Sequence, residues 1–314
     1  MSAKFFSRRI THYHKFFFIS PSAMMSSPAT FNFHNAPLSS IYWPIGAVSI
    51  YLVLVFLLVQ IMETRKKSNN NKSNPFITSP KILVVHNLIL SFWSLIMFLG
   101  CLTEIYHRWS SSTTTTTLQQ QQEDGSSASY RWIFCEEELP LTTSSTGSLY
   151  FWSYVYYISK YYELFDTLLG LLSGSRMPNF KLQVYHHLVV IFMAWAWCEV
   201  AQSLQFIGLL FNTLVHIIMY LYFATRAGKY NFGVYLKIIK LTITRLQIIQ
   251  FVISFCCIFI SIKMQYERTD GLYCSGFGRD SYYSLWGNAV FNATLLFSFI
   301  NVFQTNKSKK EHKQ

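Results

Sequence analysis

Four polar clusters interrupt segments of this chain that are otherwise apolar. They read Lys160-Tyr-Tyr-Glu163-Leu-Phe-Asp166-Thr167, then Gln183-Val-Tyr-His186-His187, then Asn212 with His216, Met219 and Tyr220, then Thr244 with Gln247 and Gln250. An ionisable group in a hydrocarbon interior costs about 2.5 kcal/mol or more on insertion scales, so such groups face protein and mark a site. Residues three and four apart share a helix face. Lys160, Glu163, Asp166 and Thr167 therefore form either an internal ion pair that neutralises buried charge or a network that positions reacting groups. Gln183 precedes His186 and His187 by three and four residues and can hydrogen-bond either imidazole. An uncharged imidazole is the side chain best suited to act as base, nucleophile or ligand near neutral pH. Asn212 and His216 lie four apart on a stripe that Met219 and Phe223 continue. Thr244, Gln247 and Gln250 cover an arc of one face, where amides serve either a site or hydrogen bonds between helices.

Metal chemistry is the weaker reading of these histidines. Of nine histidines, only His86, His186, His187 and His216 lie in apolar segments, and no His-x-x-x-His pair occurs. That is too few ligands for a di-iron centre. A mononuclear site of His186, His187 and His216 lacks an evident second shell to orient it, so no metal is expected.

The elements that must hold these groups follow from composition. The 314 residues are 51% hydrophobic and 18% aromatic but only 13% charged, which is too apolar for a soluble domain. Seven stretches reach or approach the length that crosses a bilayer: Ile41–Met62, Ile82–Ile105, Leu149–Leu172, Leu182–Val200, Ser203–Thr225, Val234–Ile262 and Tyr282–Phe303. The third, fourth and sixth carry polar clusters, so their hydropathy is expected to be weak. The net charge of +12 is read as loop charge that sets orientation, not as a nucleic-acid surface. Loops 63–81, 173–181 and 225–240 and tail 304–314 hold five, two, four and four Lys or Arg, against four in total in loops 106–148, 201–202 and 264–281. The basic set and the C-terminus are thereby expected in the cytosol. Lys4, Arg8, Arg9 and Lys15 oppose this orientation from positions far from the first span, where the rule is weak.

One membrane domain is expected over 41–305. Residues 1–40 read as a poorly ordered extension, 68–74 and 110–129 as low-complexity, disordered insertions, and 306–314 as a basic cytosolic tail. Of the six cysteines, Cys101, Cys198, Cys256 and Cys257 sit in apolar spans and read as small buried residues. Cys135 and Cys274 fall in loops expected on the lumenal side, where a bridge can persist.

The four clusters, in this order, resemble those of the ELO-type fatty acid elongases. Lys160-xx-Glu163-xx-Asp166-Thr167, Asn212-xxx-His216-xx-Met219-Tyr220 and Thr244-xx-Gln247-xx-Gln250 match that family's motifs intact. Gln183-xx-His186-His187 departs from its His-xx-His-His by one residue. Softer echoes are Met62-Glu-x-Arg65-Lys66, Pro75-Phe76 and Asn87, and Cys135 with Cys274 match positions where relatives carry a lumenal bridge. The resemblance covers roughly residues 40–305. It implies an all-α integral membrane protein of the endoplasmic reticulum, with seven transmembrane helices, six of them around a narrow acyl tunnel. It also implies condensation of acyl-CoA with malonyl-CoA to 3-oxoacyl-CoA, CO2 and CoA, with no bound cofactor. His186 would form an acyl-imidazole, or act only as a base. His216 with Asn212 would stabilise the enolate or oxyanion. His187 and Gln183 would orient His186, and Lys160, Glu163, Asp166, Thr167, Tyr220, Gln247 and Gln250 would support the site. Expected partners are the bilayer and the reductase and dehydratase of the elongation cycle, with a homodimer compatible. Trp195, Trp197, Phe206 and Phe259 are candidates for the wall that limits chain length. A seven-span receptor or transporter with a polar intramembrane ligand site is the alternative reading.

Overall fold

The computed structural model describes residues 28–68, 75–77, 79–119, 131–136, 146–174, 177, 179–230, 232–268, 273–275 and 282–311, with side chains for all of these except 111–119 and 302–311. Among the described residues eight α-helices follow one another: α1 Tyr42–Ser68, α2 Pro80–Gln119, the single turn α3 Arg131–Phe134, α4 Ser148–Leu172, α5 Phe180–Val200, α6 Gln205–Ala227, α7 Val234–Tyr266 and α8 Tyr282–Glu311. Local chemistry sets several of these boundaries. Pro80 opens α2 at the position where its missing N–H costs nothing. Gly147 (φ 97°) and Gly174 (φ 62°) flank α4 in conformations other residues avoid. Among the described residues there is no strand, and Asn32 and Thr146 form an isolated antiparallel bridge.

Seven of the helices have 21 residues or more. At 1.5 Å per residue, 21 residues reach about 31 Å, the thickness of a bilayer's hydrocarbon. Four are also apolar enough to cross a membrane: α1, α2 over Pro80–Ser110, α6 and α7. The sixth expected span, α7, was thought too polar to stand out but is among these four. The seventh, α8, is not, because Asn288, Asn292 and Asn301 dilute its apolar run. Outward faces are strongly apolar. On α1 alone Ile50, Val53, Phe56 and Leu57 are about half exposed or more, a surface that water does not tolerate over this area. These helices mark the chain as a multi-pass membrane protein.

Contacts between neighbouring helices close a cycle: α2 touches α4, α4 touches α5, α5 touches α8, α8 touches α7, α7 touches α6, and α6 returns to α2. The α2–α6 contact is the most extensive, helped by buried Ser91, whose hydroxyl donates to the Ile217 carbonyl at 3.1 Å. Helix α1 lies outside this cycle against α4 and α5, tied by the Tyr51 hydroxyl, which donates to Thr167 at 2.9 Å.

At one end of the bundle, Cys135 and Cys274 are joined as a disulfide. It fastens the chain after α3 to the α7–α8 connection, beside a buried polar cap in which Ser284 donates to Gln202 and the Glu136 N–H donates to Ser203 at 3.1 Å. Residues 28–40 depart from the expected poorly ordered extension. Phe31 and Phe33 are buried among tyrosines of α4. The Tyr154 and Tyr157 hydroxyls donate to the carbonyls of Pro37 and Leu38, and the Trp195 indole donates to that of Ser39. Burial of two aromatic rings orders a segment that has no periodicity to announce it. Residues 1–27 lie outside the described residues. So do 69–74 and 120–129 of the two expected insertions, whereas α2 continues helically through Gln119 and α8 through Glu311.

Candidate active site

The polar clusters meet inside the cycle, one turn or more from the ends of their helices. Lys160 and Glu163, three apart on α4 and both about 1% exposed, form an ion pair with Nζ 2.6 Å from Oε1. The ammonium also reaches Asn212 Oδ1 on α6 at 3.5 Å and lies 4.0 Å from the centre of the Tyr156 ring. The Tyr156 hydroxyl donates to the same Asn212 oxygen at 3.0 Å. With Oδ1 occupied by two donors, the N–H groups of the Asn212 carboxamide are left for the cavity that this residue lines. His216, one turn on, hydrogen-bonds through Nδ1 to the Asn212 carbonyl at 2.7 Å. A carbonyl only accepts, so Nδ1 carries the proton, and Nε2 faces Glu163 Oε2 at 3.9 Å.

Asp166 gathers a second group. The Tyr220 hydroxyl donates to its Oδ2 at 2.8 Å, His187 Nε2 lies 4.0 Å from that oxygen, and His86 Nε2 lies 2.6 Å from Oδ1. Thr167, fully buried, anchors α1 through Tyr51. His86 is the residue that sequence reasoning left without a role. An ionisable side chain inside the second span was the available signal, but its partner is 80 residues away.

His186 sits apart from this dense network and lines the cavity. Its ring stacks on Phe291 of α8, with centroids 6.0 Å apart at 24°, and lies 5.6 Å from the ring of His187. Gln183 was expected to orient it. Among the described residues no hydrogen bond joins Gln183 to either imidazole, and the ring contact of His186 is with Phe291. Gln250 lines the cavity, whereas Gln247, half-buried on the same helix, does not, and Thr244 turns its hydroxyl back to the Lys240 carbonyl at 3.1 Å.

The cavity has a volume of about 60 Å³ drawn out between five helices. It is therefore a slot. Its walls come from α4, α5, α6, α7 and α8, and it extends from His186 to Trp197 and Leu204. Those two α5 positions are eleven residues apart, about 16 Å along the axis. Most of the lining is apolar. Asn288, Asn292 and Ser254 add polar groups that the motifs did not announce, with Asn292 donating to Ser254 at 2.8 Å.

Of the four candidates for the far wall, only Trp197 lines the cavity. Trp195 turns toward Ser39, Phe206 packs on Tyr150 and Trp132, and Phe259 is 68% exposed on the outer face of α7. Trp197 stacks on Tyr156 at 5.6 Å and 13°, and Gly208 gives its ring room. A Cβ at Gly208 would come 2.9 Å from the indole. Among the described residues no group of three or more His, Cys, Asp and Glu is arranged to hold a metal ion.

A family model described as the GNS1/SUR4 family matches residues 36–314 of the chain. A Dictyostelium discoideum protein named as a fatty acid elongase is 33% identical over 223 residues, 71% of this chain and 63% of that protein. Fatty acid elongase A of the same organism is 26% identical over 85% of this chain and 82% of its own length. Fatty acid elongase 3-like of Arabidopsis thaliana is 27% identical over 56% of each. The chain thus spans less than two thirds of the first of these relatives.

Proposed function

Since the chain belongs to the GNS1/SUR4 family, we propose that it is a fatty acid elongase of the endoplasmic-reticulum membrane that condenses acyl-CoA with malonyl-CoA. The observation that carries this reading is the position of His186. It is the one histidine of the cluster that lines the apolar slot, together with Asn212 and Tyr156 of the network. An apolar slot suits an acyl chain because each buried CH2 contributes about 0.8 kcal/mol, and at about 60 Å³ it would have to widen to take a long chain. The closed cycle of six helices with α1 outside suits a narrow acyl tunnel within seven transmembrane helices.

In this reading His186 attacks the thioester carbonyl of the acyl-CoA. The C–S bond breaks, the remaining ring proton of His186 passes to the leaving sulfur so that CoA departs as the thiol, and a neutral acyl-imidazole remains. Covalent catalysis divides one hard step into two easier ones. Malonyl-CoA then binds in place of the released CoA. Loss of CO2 leaves its electron pair on the α-carbon as an enolate, which attacks the acyl-imidazole carbonyl. The new C–C bond forms, the C–N bond to His186 breaks with its electron pair passing to the ring nitrogen, a proton taken up from water restores the neutral imidazole, and 3-oxoacyl-CoA departs. The Asn212 carboxamide, fixed by Tyr156 and Lys160, supplies preorganised donors for the developing oxyanion, and His216 steadies Asn212. The carboxylates of Glu163 and Asp166, with Tyr220 and Thr167, hold the imidazoles in register. Neither a metal nor a soluble cofactor is needed for these steps. The reductase and dehydratase of an elongation cycle would consume the 3-oxo product, and a homodimer remains compatible.

Purified protein mixed with a long-chain acyl-CoA and radiolabelled malonyl-CoA tests the assignment. A labelled 3-oxoacyl product is expected. A receptor or transporter would bind acyl-CoA and return malonyl-CoA unchanged, and that result would overturn the proposal.

A further inference from the structure

Asp166 connects the histidine pair to a residue that belongs to none of the four motifs. His86 reaches it from α2, is 6% exposed, and places Nε2 2.6 Å from Oδ1. A carboxylate only accepts hydrogen bonds, so Nε2 donates, and Nδ1 at 3.3 Å is then the acceptor for the Tyr162 hydroxyl. The other carboxylate oxygen receives the Tyr220 hydroxyl at 2.8 Å. Both oxygens are thereby pinned from opposite helices, α2 and α6. The one held by Tyr220 faces His187 Nε2 at 4.0 Å. A negative oxygen beside Nε2 favours the His187 tautomer whose proton is on that nitrogen. The lone pair is then on Nδ1, which is buried and has no hydrogen-bond partner among the described residues.

We propose that His86 is a positioning residue: the chain Tyr162–His86–Asp166 holds His187 as the Nε2–H tautomer, so that His187 Nδ1 offers its lone pair as a base beside His186. This rests on the proposed role of the histidine pair as the reaction centre. The rival account is that His86 and Asp166 merely tie α2 to α4. Such a tie would stabilise the bundle without setting the state of His187.

The test uses the full chain in lipid nanodiscs, labelled with 15N-histidine, with His187→Gln used to assign the His187 signals. In the parent protein the His187 shifts should report a protonated Nε2 and a bare Nδ1. In His86→Leu they should move to the other tautomer or an average of both. Turnover at saturating substrates should fall about 10²-fold, the scale of a misplaced catalytic group, with KM for either CoA substrate little changed. His86→Gln, whose amide nitrogen reaches the Nε2 position, should restore most of the turnover, and the shorter His86→Asn should not. Adding His86→Leu to Asp166→Asn should cost nothing more, since both act through one contact. An unchanged His187 tautomer in His86→Leu overturns the proposal, as do multiplying losses in the double variant. A parent protein with the stated tautomer but no condensation product sinks the functional reading and the base role of His187 with it, whereas a wrong tautomer beside a normal condensation product sinks only the role of His86. If His86→Leu fails to fold, the Gln and Asn pair decides: equal turnover in the two overturns the proposal.

Discussion

At the scale of single residues, burial makes each charge conditional on its partner. Lys160 and Glu163 are both almost fully enclosed. Lys160→Met should therefore destabilise the folded protein by about 3–5 kcal/mol, because it leaves a buried carboxylate unpaired. The double variant Lys160→Met with Glu163→Gln should recover a large part of that loss in stability while remaining inactive. Thermal unfolding in detergent, followed by loss of a monodisperse peak, reads both. In the proposed function chain length would be limited by different residues. Trp197 lines the slot about 16 Å from His186, measured along α5, and a Cβ at Gly208 would come 2.9 Å from its ring. Trp197→Leu should lengthen the products by at least one two-carbon unit, and Gly208→Ala should shorten them by pushing the indole inward. Fatty-acid profiles from an elongase-deficient yeast expressing each variant check this. Phe259→Ala, altered on the outer face, should leave the profile unchanged.

At the scale of elements, the same chemistry that placed the helices also limited what could be read in advance. Charges and histidines in apolar segments are conspicuous, so the motif residues on α4, α5 and α6 were legible as a site. Their grouping into one network around Glu163 and another around Asp166 was not, because it depends on which helices touch. His86 is a lone histidine in its span and gains meaning only when α2 meets α4. Asn288, Asn292 and Ser254 read as ordinary amides and a hydroxyl until α7 and α8 turn them toward the cavity. Only one of the four candidates for the far wall, Trp197, lines the cavity, because bulky residues cluster at that end of several helices and sequence does not say which faces are inward. Residues 28–40 have no helical or strand period, so only contact with α4 and α5 reveals their order. The bridge between Cys135 and Cys274 closes a separation of 139 residues. Its loss in Cys135→Ser should cost up to about 5 kcal/mol, the value of the chain-entropy treatment for a loop of this length. Non-reducing peptide maps of protein alkylated in the membrane should recover the two cysteines as one linked pair.

At the scale of the whole molecule, the proposed function needs one side of the membrane for CoA. The charge asymmetry of the loops leads to the expectation that the basic loops and the C-terminus lie in the cytosol, where Lys and Arg would meet the phosphates of CoA. The disulfide, Trp197 and the buried cap lie toward the opposite end. A glycosylation acceptor fused after Gln314 should stay unmodified, as should the natural Asn71-Lys-Ser and Asn306-Lys-Ser sequences, and one inserted near Ser126 should be modified. Gel mobility before and after deglycosylation reads the pattern, and its reversal would overturn the cytosolic entry of CoA. The central claim concerns the covalent step, and intact mass spectrometry reaches it most directly. Protein incubated with a long-chain acyl-CoA alone should gain the mass of the acyl group and release CoA before any malonyl-CoA is added. The adduct should be absent from His186→Ala and should disappear from the parent protein when malonyl-CoA follows. Release of CoA only in the presence of malonyl-CoA, with no adduct at any time, would contradict the acyl-imidazole and leave His186 as a base.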